Sequence, residues 1–335
     1  MITIIKIFNE IWTMSSLNPQ PKPKKSRKPP RYLIVLIIFV FIIGVIAFNL
    51  PLNTTQAETR KNKTNMSPID AAKQFNSQNA IDFAGQICGL GPRYGGNDAE
   101  LKAADMFEAE LKKYDIYTTK EKVDLGDGKY TYNVIGKIEG TTNPDRYIII
   151  GSHIDSPQNA VGANDGASGQ GIQVEMARIL SNVNTNKTIL IVGFGAEMLW
   201  FKGSEAFVNN HPDILKNCDA MIDLNVVGAG ENVAPIAKSD LPEVVVADYD
   251  LLNLLKDCAD ELGHPLVISE DAYPSDTYYF YKYSESKVPV VQIESRPFKV
   301  PAWSKENTPD KLDPNDMNRV GQTVTMAVLK LSNSG

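Results

Sequence analysis

Tyr147 to Gly169 read YIIIGSHIDSPQNAVGANDGASG, and the rest of the chain can be organised around that pattern. Tyr147–Ile150 is apolar without alternation, as in a strand covered by helices on both faces. The run stops at Gly151, and polar residues follow at once: Ser152, His153, Asp155 and Ser156. A loop with Gly162 and the pair Asp165-Gly166 then leads into Ala167-Ser168-Gly169, small residues suited to opening a helix. The same kind of buried strand recurs as TILIVGF at 188–194 and VPVVQI at 288–293.

Working outward, strands are expected at Tyr132–Ile138, Arg146–Gly151, Thr188–Phe194, Met221–Val227 and Val288–Ile293. Helices are expected from Ser67-Pro68 to Gln86, at Ala99–Tyr114, Gly169–Leu180, Ser204–Asn209 and Leu251–Leu262, and at Asp316–Leu331. Strands alternating with helices predict an α/β domain over 68–335: three layers, helix–sheet–helix, around a mostly parallel central sheet.

Ahead of that domain the composition changes. Residues 1–31 hold a basic cluster from Lys22 to Arg31 with no acid in it. Residues 32–50, centred on LIVLIIFVFIIGVIAF, are long enough for a transmembrane helix of about 17–25 residues. The basic side is expected in the cytoplasm, which puts the carboxyl-terminal domain outside a cell membrane crossed once. A cleaved signal peptide ending near Thr55-Gln56-Ala57 is the rival reading, but the apolar run exceeds the usual h-region of about 7–15 residues. Met14 is an alternative start. Residues 51–67 read as a polar, flexible tether. The net charge of −6 gives no reason to expect a nucleic-acid partner. Cys88, Cys218 and Cys258 have no zinc-knuckle spacing, so one bridge between Cys218 and Cys258 and three buried thiols are both open.

In open α/β sheets, functional groups gather at the carboxyl ends of the strands. Followed to their ends, the strands here deliver His153, Asp155, Asp165, Glu197 and the segment Asp223-Leu224-Asn225. One histidine among acids suggests metal-assisted chemistry. Ser168 lacks the strand–Ser–helix elbow of a nucleophilic hydrolase. His211 and His264 each precede a proline and are expected at the surface.

Seven segments in order resemble one family: GPRYGGNDAELKAADMFEAEL, GSHIDS, GANDGASG, Glu197 with Gly203-Ser204, DLNVVG, SDTYYF and NTPDKLDP. Together they cover about residues 70–330 and are similar to the zinc aminopeptidases related to glutamate carboxypeptidase and the transferrin receptor ectodomain, metallopeptidase family twenty-eight. The resemblance implies the zinc-exopeptidase fold and a pair of zinc ions held by five side chains. His153 takes the place of the first ligand, Asp155 that of its support, Asp165 that of the bridging carboxylate and Glu197 that of the general base. At the other three ligand positions stand Met198, Asn225 and Trp303, with Asn307 where the last motif has an aspartate. Thioether and indole are poor or absent zinc donors, and an amide brings no charge. The resemblance therefore implies at most one weakly held zinc, on His153, Asp165 and Asn225, with no metal an equal expectation. Asp223 is expected too deep in its strand to replace Asn225.

Two functions follow. One is a non-catalytic ectodomain whose old cleft, with Asp276, Thr277, Tyr278 and the neighbouring aromatics at its walls, binds a peptide or protein. The other is a metallo-aminopeptidase working with an altered ligand set. Oligomeric state is not legible.

Overall fold

The computed structural model describes residues 63–240, 243–270, 272–283 and 287–334. The expected membrane span at 32–50 and the basic tail before it lie outside the described residues. Among the described residues, no helix is long and apolar enough to cross a membrane.

The chain order is α1 (Pro68–Ala72), α2 (Ser77–Cys88), α3 (Asp98–Lys112), β1 (Tyr117–Gly126), β2 (Lys129–Ile138), β3 (Asn143–His153), α4 (Ala167–Leu180) and β4 (Lys187–Phe194). A 3-10 turn at Glu197–Leu199 leads to α5 (Lys202–Asn210), α6 (Pro212–Lys216), β5 (Cys218–Leu224), β6 (Asn232–Ile236), β7 (Lys238–Ser239) and β8 (Val245–Val246). Then come α7 (Tyr249–Leu262), α8 (Thr277–Tyr283), β9 (Val290–Arg296), a 3-10 turn at Pro309–Lys311 and α9 (Pro314–Asn333).

Seven strands form one sheet in the order β1-β2-β4-β3-β5-β9-β6. The middle four, β4, β3, β5 and β9, are parallel. Pairing turns antiparallel at both margins, β1 on β2 on β4 at one side and β6 on β9 at the other. Alternate residues of the buried strands serve opposite layers, as a pleated strand requires. Ile148 and Ile150 join the core under α2, α4, α7 and α9, while Ile149 joins the one that holds Phe207 of α5 and Phe280 of α8. Tyr147–Ile150 is therefore apolar throughout because both faces are covered.

Several expected elements change in detail. The helix foreseen from Ser67-Pro68 to Gln86 is two helices: Ser67 caps α1, the chain turns, and Asn76 caps α2 by accepting from the Gln78 amide. The tether foreseen to reach 67 is pinned earlier, because Thr64 bridges Val183, donating to the Asn182 carbonyl at 2.9 Å and accepting from the Asn184 amide at 3.0 Å. That attachment lies just before β4, at the opposite end of the parallel strands from the polar strand ends. β1, β6 and α8 were not anticipated, nor were the short α6, β7 and β8. β1 is a half-exposed margin strand, set by a two-residue hairpin at Asp127-Gly128 with both φ angles positive (51° and 75°). Cys88, Cys218 and Cys258 are all free and buried, so no Cys218–Cys258 bridge exists here.

Candidate functional site at the carboxyl ends of the parallel strands

His153 ends β3, Glu197 follows β4, and Asn225 follows β5. Asp165 is drawn to this point by a bridge to Val226 and by the turn before α4. That turn needs Gly166: its φ is 97°, and a Cβ there would lie 2.8 Å from His153 Cε1. Gly169 allows the first turn of α4 to press against the end of β5, where a Cβ would strike the Leu224 carbonyl. GANDGASG is thus a sequence made for close approach.

The imidazole of His153 is fully buried between two carboxylates, Nδ1 at 3.1 Å from Asp155 Oδ1 and Nε2 at 3.0 Å from Asp165 Oδ1. Asp155 does more than support the ring. It also accepts the backbone N–H of Glu197 at 3.0 Å and of Met198 at 2.9 Å, so it clamps the turn that carries Glu197. The neighbouring amides are held by residues that sequence reasoning missed. Glu100, buried in α3, accepts from Ala196 N–H at 2.8 Å, from the Thr131 hydroxyl at 2.6 Å and from Gly96 N–H. Asn133 accepts from Gly195 N–H at 3.2 Å. These anchors oppose local strain: Ala196, Trp200 and Phe201 all have positive φ (54°, 63° and 59°) without being glycine. Asn307, singled out in the last motif, has a structural role here. Its Oδ1 accepts from Asn164 N–H at 2.6 Å, tying the Asp165 loop to the segment of Trp303. The signal for Glu100 was present, since an acid on the inner face of an amphipathic helix needs partners.

Burial dominates the electrostatics. It works against a charged His153, yet Glu197 and the bonds to Asp155 and Asp165 outweigh it and hold the imidazole pKa well above its ordinary value. Burial pushes Glu197 well above the usual carboxylate range, only partly offset by His153. Asp276 is raised likewise, by burial and then by Asp223. Burial takes Asp223 to about 6, and Glu100, with help from Asp155, to about 7. Ser275 lies beside Asp223 and Ser204 beside Asp276, whereas Asp165 Oδ2 is buried without a hydrogen-bond partner in the protein.

Above these groups opens a cavity of about 780 Å³. Asp165, Glu197 and Asn225 reach it, and Met198, Trp200, Phe201, Tyr273, Phe298 and Trp303 give it an apolar wall. Trp200, Tyr273 and Trp303 are 65%, 59% and 59% exposed, and the rings of Tyr273 and Trp303 lie 5.3 Å apart. Arg296 is engaged twice, pairing with Glu294 at 2.6 Å and stacking on Phe298 at 4.4 Å. The expected lining by Asp276, Thr277 and Tyr278 needs correcting. Asp276 and Thr277 are buried, and Tyr278 packs on Phe201 with ring centroids 5.8 Å apart, because α8 starts here and turns its aromatics into the core. Tyr273 and Pro274, just before α8, form the wall instead. Asn225 lines the cavity and Asp223 does not; Asp223 pairs a rung deeper with Gly151 and Gln292. His211 and His264 are half-buried, beside Glu121 and Gln322 respectively.

The donor set can be tested against a pair of zinc ions. His153 Nε2 and Asp165 are two donors for one ion, already bonded to each other, with the neutral Asn225 as a third group. Among the described residues, no group of three or more His, Cys, Asp or Glu is arranged to hold a metal ion. One imidazole and one carboxylate do not fit a two-metal centre, which needs several anionic ligands.

The comparisons with known proteins identify the family and the fold. The profile of Peptidase family M28 matches residues 133–328. Aminopeptidase YwaD of Bacillus subtilis is 36% identical over 99 residues, 29% of this chain and 22% of that protein. An aminopeptidase of Pseudomonas aeruginosa is 31% identical over 100 residues, 30% of this chain and 18% of that protein. The matched stretches thus span less than a quarter of these relatives. Among solved structures, the aminopeptidase from Aneurinibacillus sp. strain AM-1 superposes with a TM-score of 0.68 at 17% identity, covering 80% of this chain and 97% of its own. A glutaminyl cyclase from Bacteroides thetaiotaomicron gives 0.65 at 21%, covering 78% and 99%. With more than half its length matched by the family profile and its site at the expected strand ends, the chain belongs to peptidase family M28.

Proposed function

We propose that this is a membrane-anchored, extracytoplasmic M28 domain that binds a peptide or protein in its cleft without hydrolysing it. The observation that carries the reading is the donor set around the cleft. His153, Asp165 and Glu197 converge there, but Met198, Asn225 and Trp303 occupy the remaining ligand positions of the family, and the first and last of these add apolar wall. Hydrolysis by the family's chemistry needs a metal to polarise the carbonyl and lower the pKa of water; two strong donors hold one poorly. Anchoring rests on the apolar run 32–50 and the basic residues before it. The binding cleft opens at the far end of the sheet from Thr64, where the tether joins the domain.

An active aminopeptidase with an altered ligand set is the second reading, favoured by the joint survival of His153, Asp155, Asp165 and Glu197. Elemental analysis of protein purified with zinc and without chelator, followed by a screen of aminoacyl substrates, separates the two. The expected result is well under one zinc per chain and no turnover, with zinc gained in a Met198→Glu, Asn225→Asp, Trp303→His variant. One zinc per chain and turnover that disappears in Glu197→Gln would establish the enzyme instead.

A further inference from the structure

Away from the cleft, three large apolar side chains stand in water within one short stretch: Val244, Val246 and Tyr249, 40%, 45% and 75% exposed. They lie where β7 and β8 pair, Lys238 opposite Val246, and where α7 begins. Asp248 N–H donates to the carbonyl of Val290, the first residue of β9, so this corner sits at the amino ends of the parallel strands. Beside it Tyr249, Tyr281, Val288 and Pro289 line a concavity of about 480 Å³. Most charges of the corner are paired: Lys238 with Asp240 at 2.8 Å and Lys282 with Glu243 at 2.7 Å, while Asp248 caps α7. Lys287 and Asp250 are opposite in sign. What faces outward is apolar and aromatic, a patch of the kind that marks an interaction surface. Its place in the fold says which surface. Thr64, where the chain enters the domain, bridges Val183 just before β4, at the same end of the sheet. Residues 51–63 join Thr64 to the apolar run at 32–50, a reach of at most about 45 Å.

We propose that this corner is the domain's lipid contact: Val244, Val246 and Tyr249 rest in the interfacial layer of a bilayer, and the cleft opens away from it. The inference rests on the membrane-anchored reading above and adds the face that meets the membrane. Tyrosine suits that layer, its ring in the apolar zone and its hydroxyl in the wet one. Three such side chains hold a free protein on lipid only weakly. A linker this short raises the effective concentration to about the millimolar range, so a weak contact suffices. Because the charges of the corner are largely paired, the contact needs no anionic lipid and is not weakened by salt.

The test uses the full chain reconstituted in phosphatidylcholine vesicles, with an environment-sensitive fluorophore attached through Asp250→Cys, beside Tyr249. Cys88, Cys218 and Cys258 are buried and stay unlabelled. A second preparation, labelled through Lys305→Cys beside Trp303, reports on the cleft end. Lipids carrying a nitroxide on the headgroup quench a label held at the bilayer surface. Quenching at position 250 should be several-fold greater than at 305, and unchanged by added phosphatidylglycerol or by high salt. Val244→Ser, Val246→Ser and Tyr249→Ser together should lower it to the level at 305, with thermal unfolding unchanged because all three side chains are exposed. Equal quenching at the two positions, quenching that survives the triple variant, or quenching that needs anionic lipid or fades with salt overturns the proposal. A spectral shift at 250 that grows with protein density without lipid quenching means that a second copy covers the patch, and overturns it as well. Carbonate extraction separates this inference from the reading beneath it. If the chain stays with the vesicles but position 250 is not quenched, the lipid contact falls and the anchor stands; if carbonate strips the chain away, both fall.

Discussion

Replacing Asp155 with alanine should unfold the site from its backbone outward, and the cost can be worked from three bonds. Asp155 is fully buried and accepts from Glu197 N–H, Met198 N–H and His153 Nδ1. Truncation leaves two buried backbone donors unsatisfied, each costing about 1–3 kcal/mol, and takes one of the two carboxylates from the His153 ring. A loss of about 4 kcal/mol follows. Asparagine keeps one carbonyl acceptor but turns an NH₂ group toward the second donor, so Asp155→Asn should lose about half as much. Urea unfolding measures both, with an unchanged slope showing that the surface exposed on unfolding is the same. Hydrogen exchange over 195–201 supplies the local readout, and the amides of Glu197 and Met198 should lose protection first. If Asp155→Ala stays within about 1 kcal/mol of the parent and those amides remain protected, the carboxylate is not what holds the turn. The reasoning would then be refuted, and Asp155 would be left with the histidine alone.

Three further outcomes are expected. Gly169→Ala should destabilise by about 3 kcal/mol, read by denaturant midpoint, because the new Cβ meets the Leu224 carbonyl and lies 2.9 Å from Ser152 Cβ. Glu100 has a pKa of about 7 in the folded chain against an ordinary 4.5, so between those values the folded state holds a proton that the unfolded state releases. Its contribution to stability therefore declines as pH rises from about 4.5 to about 7, and Glu100→Gln should flatten that part of a stability-versus-pH curve. Trp303→Ala should change stability by less than about 0.5 kcal/mol, since the ring is mostly exposed and packs on Tyr273, while ligand binding in the cleft falls at least tenfold.

How far the fold could be read depended on burial. Strands with both faces covered, such as Tyr147–Ile150, announce themselves as apolar runs, and the strand-end rule then placed His153, Asp165, Glu197 and Asn225 at one point. The margin strand β1 is half-exposed and carries no such signature, and the buried apolar stretch of β6, 233–236, is only four residues long and includes a proline. α8 was missed because TYYFYKY, seven residues long, is aromatic at five of its seven positions and shows no helical period.

Sequence alone determined the α/β class, the family resemblance and the residue types at the site, because each depends on local composition and order along the chain. Tertiary structure alone decided that Asp155 and Glu100 clamp the Glu197 turn from different elements, that Tyr273 rather than Tyr278 walls the cleft, and that Asp165 keeps a buried oxygen free. Glu100 and Ala196 are 96 residues apart in the chain and 2.8 Å apart in the fold. A contact of that kind leaves no mark in local periodicity, because it is made by the packing of a helix against a strand end. The chemistry of this cleft is settled by such contacts.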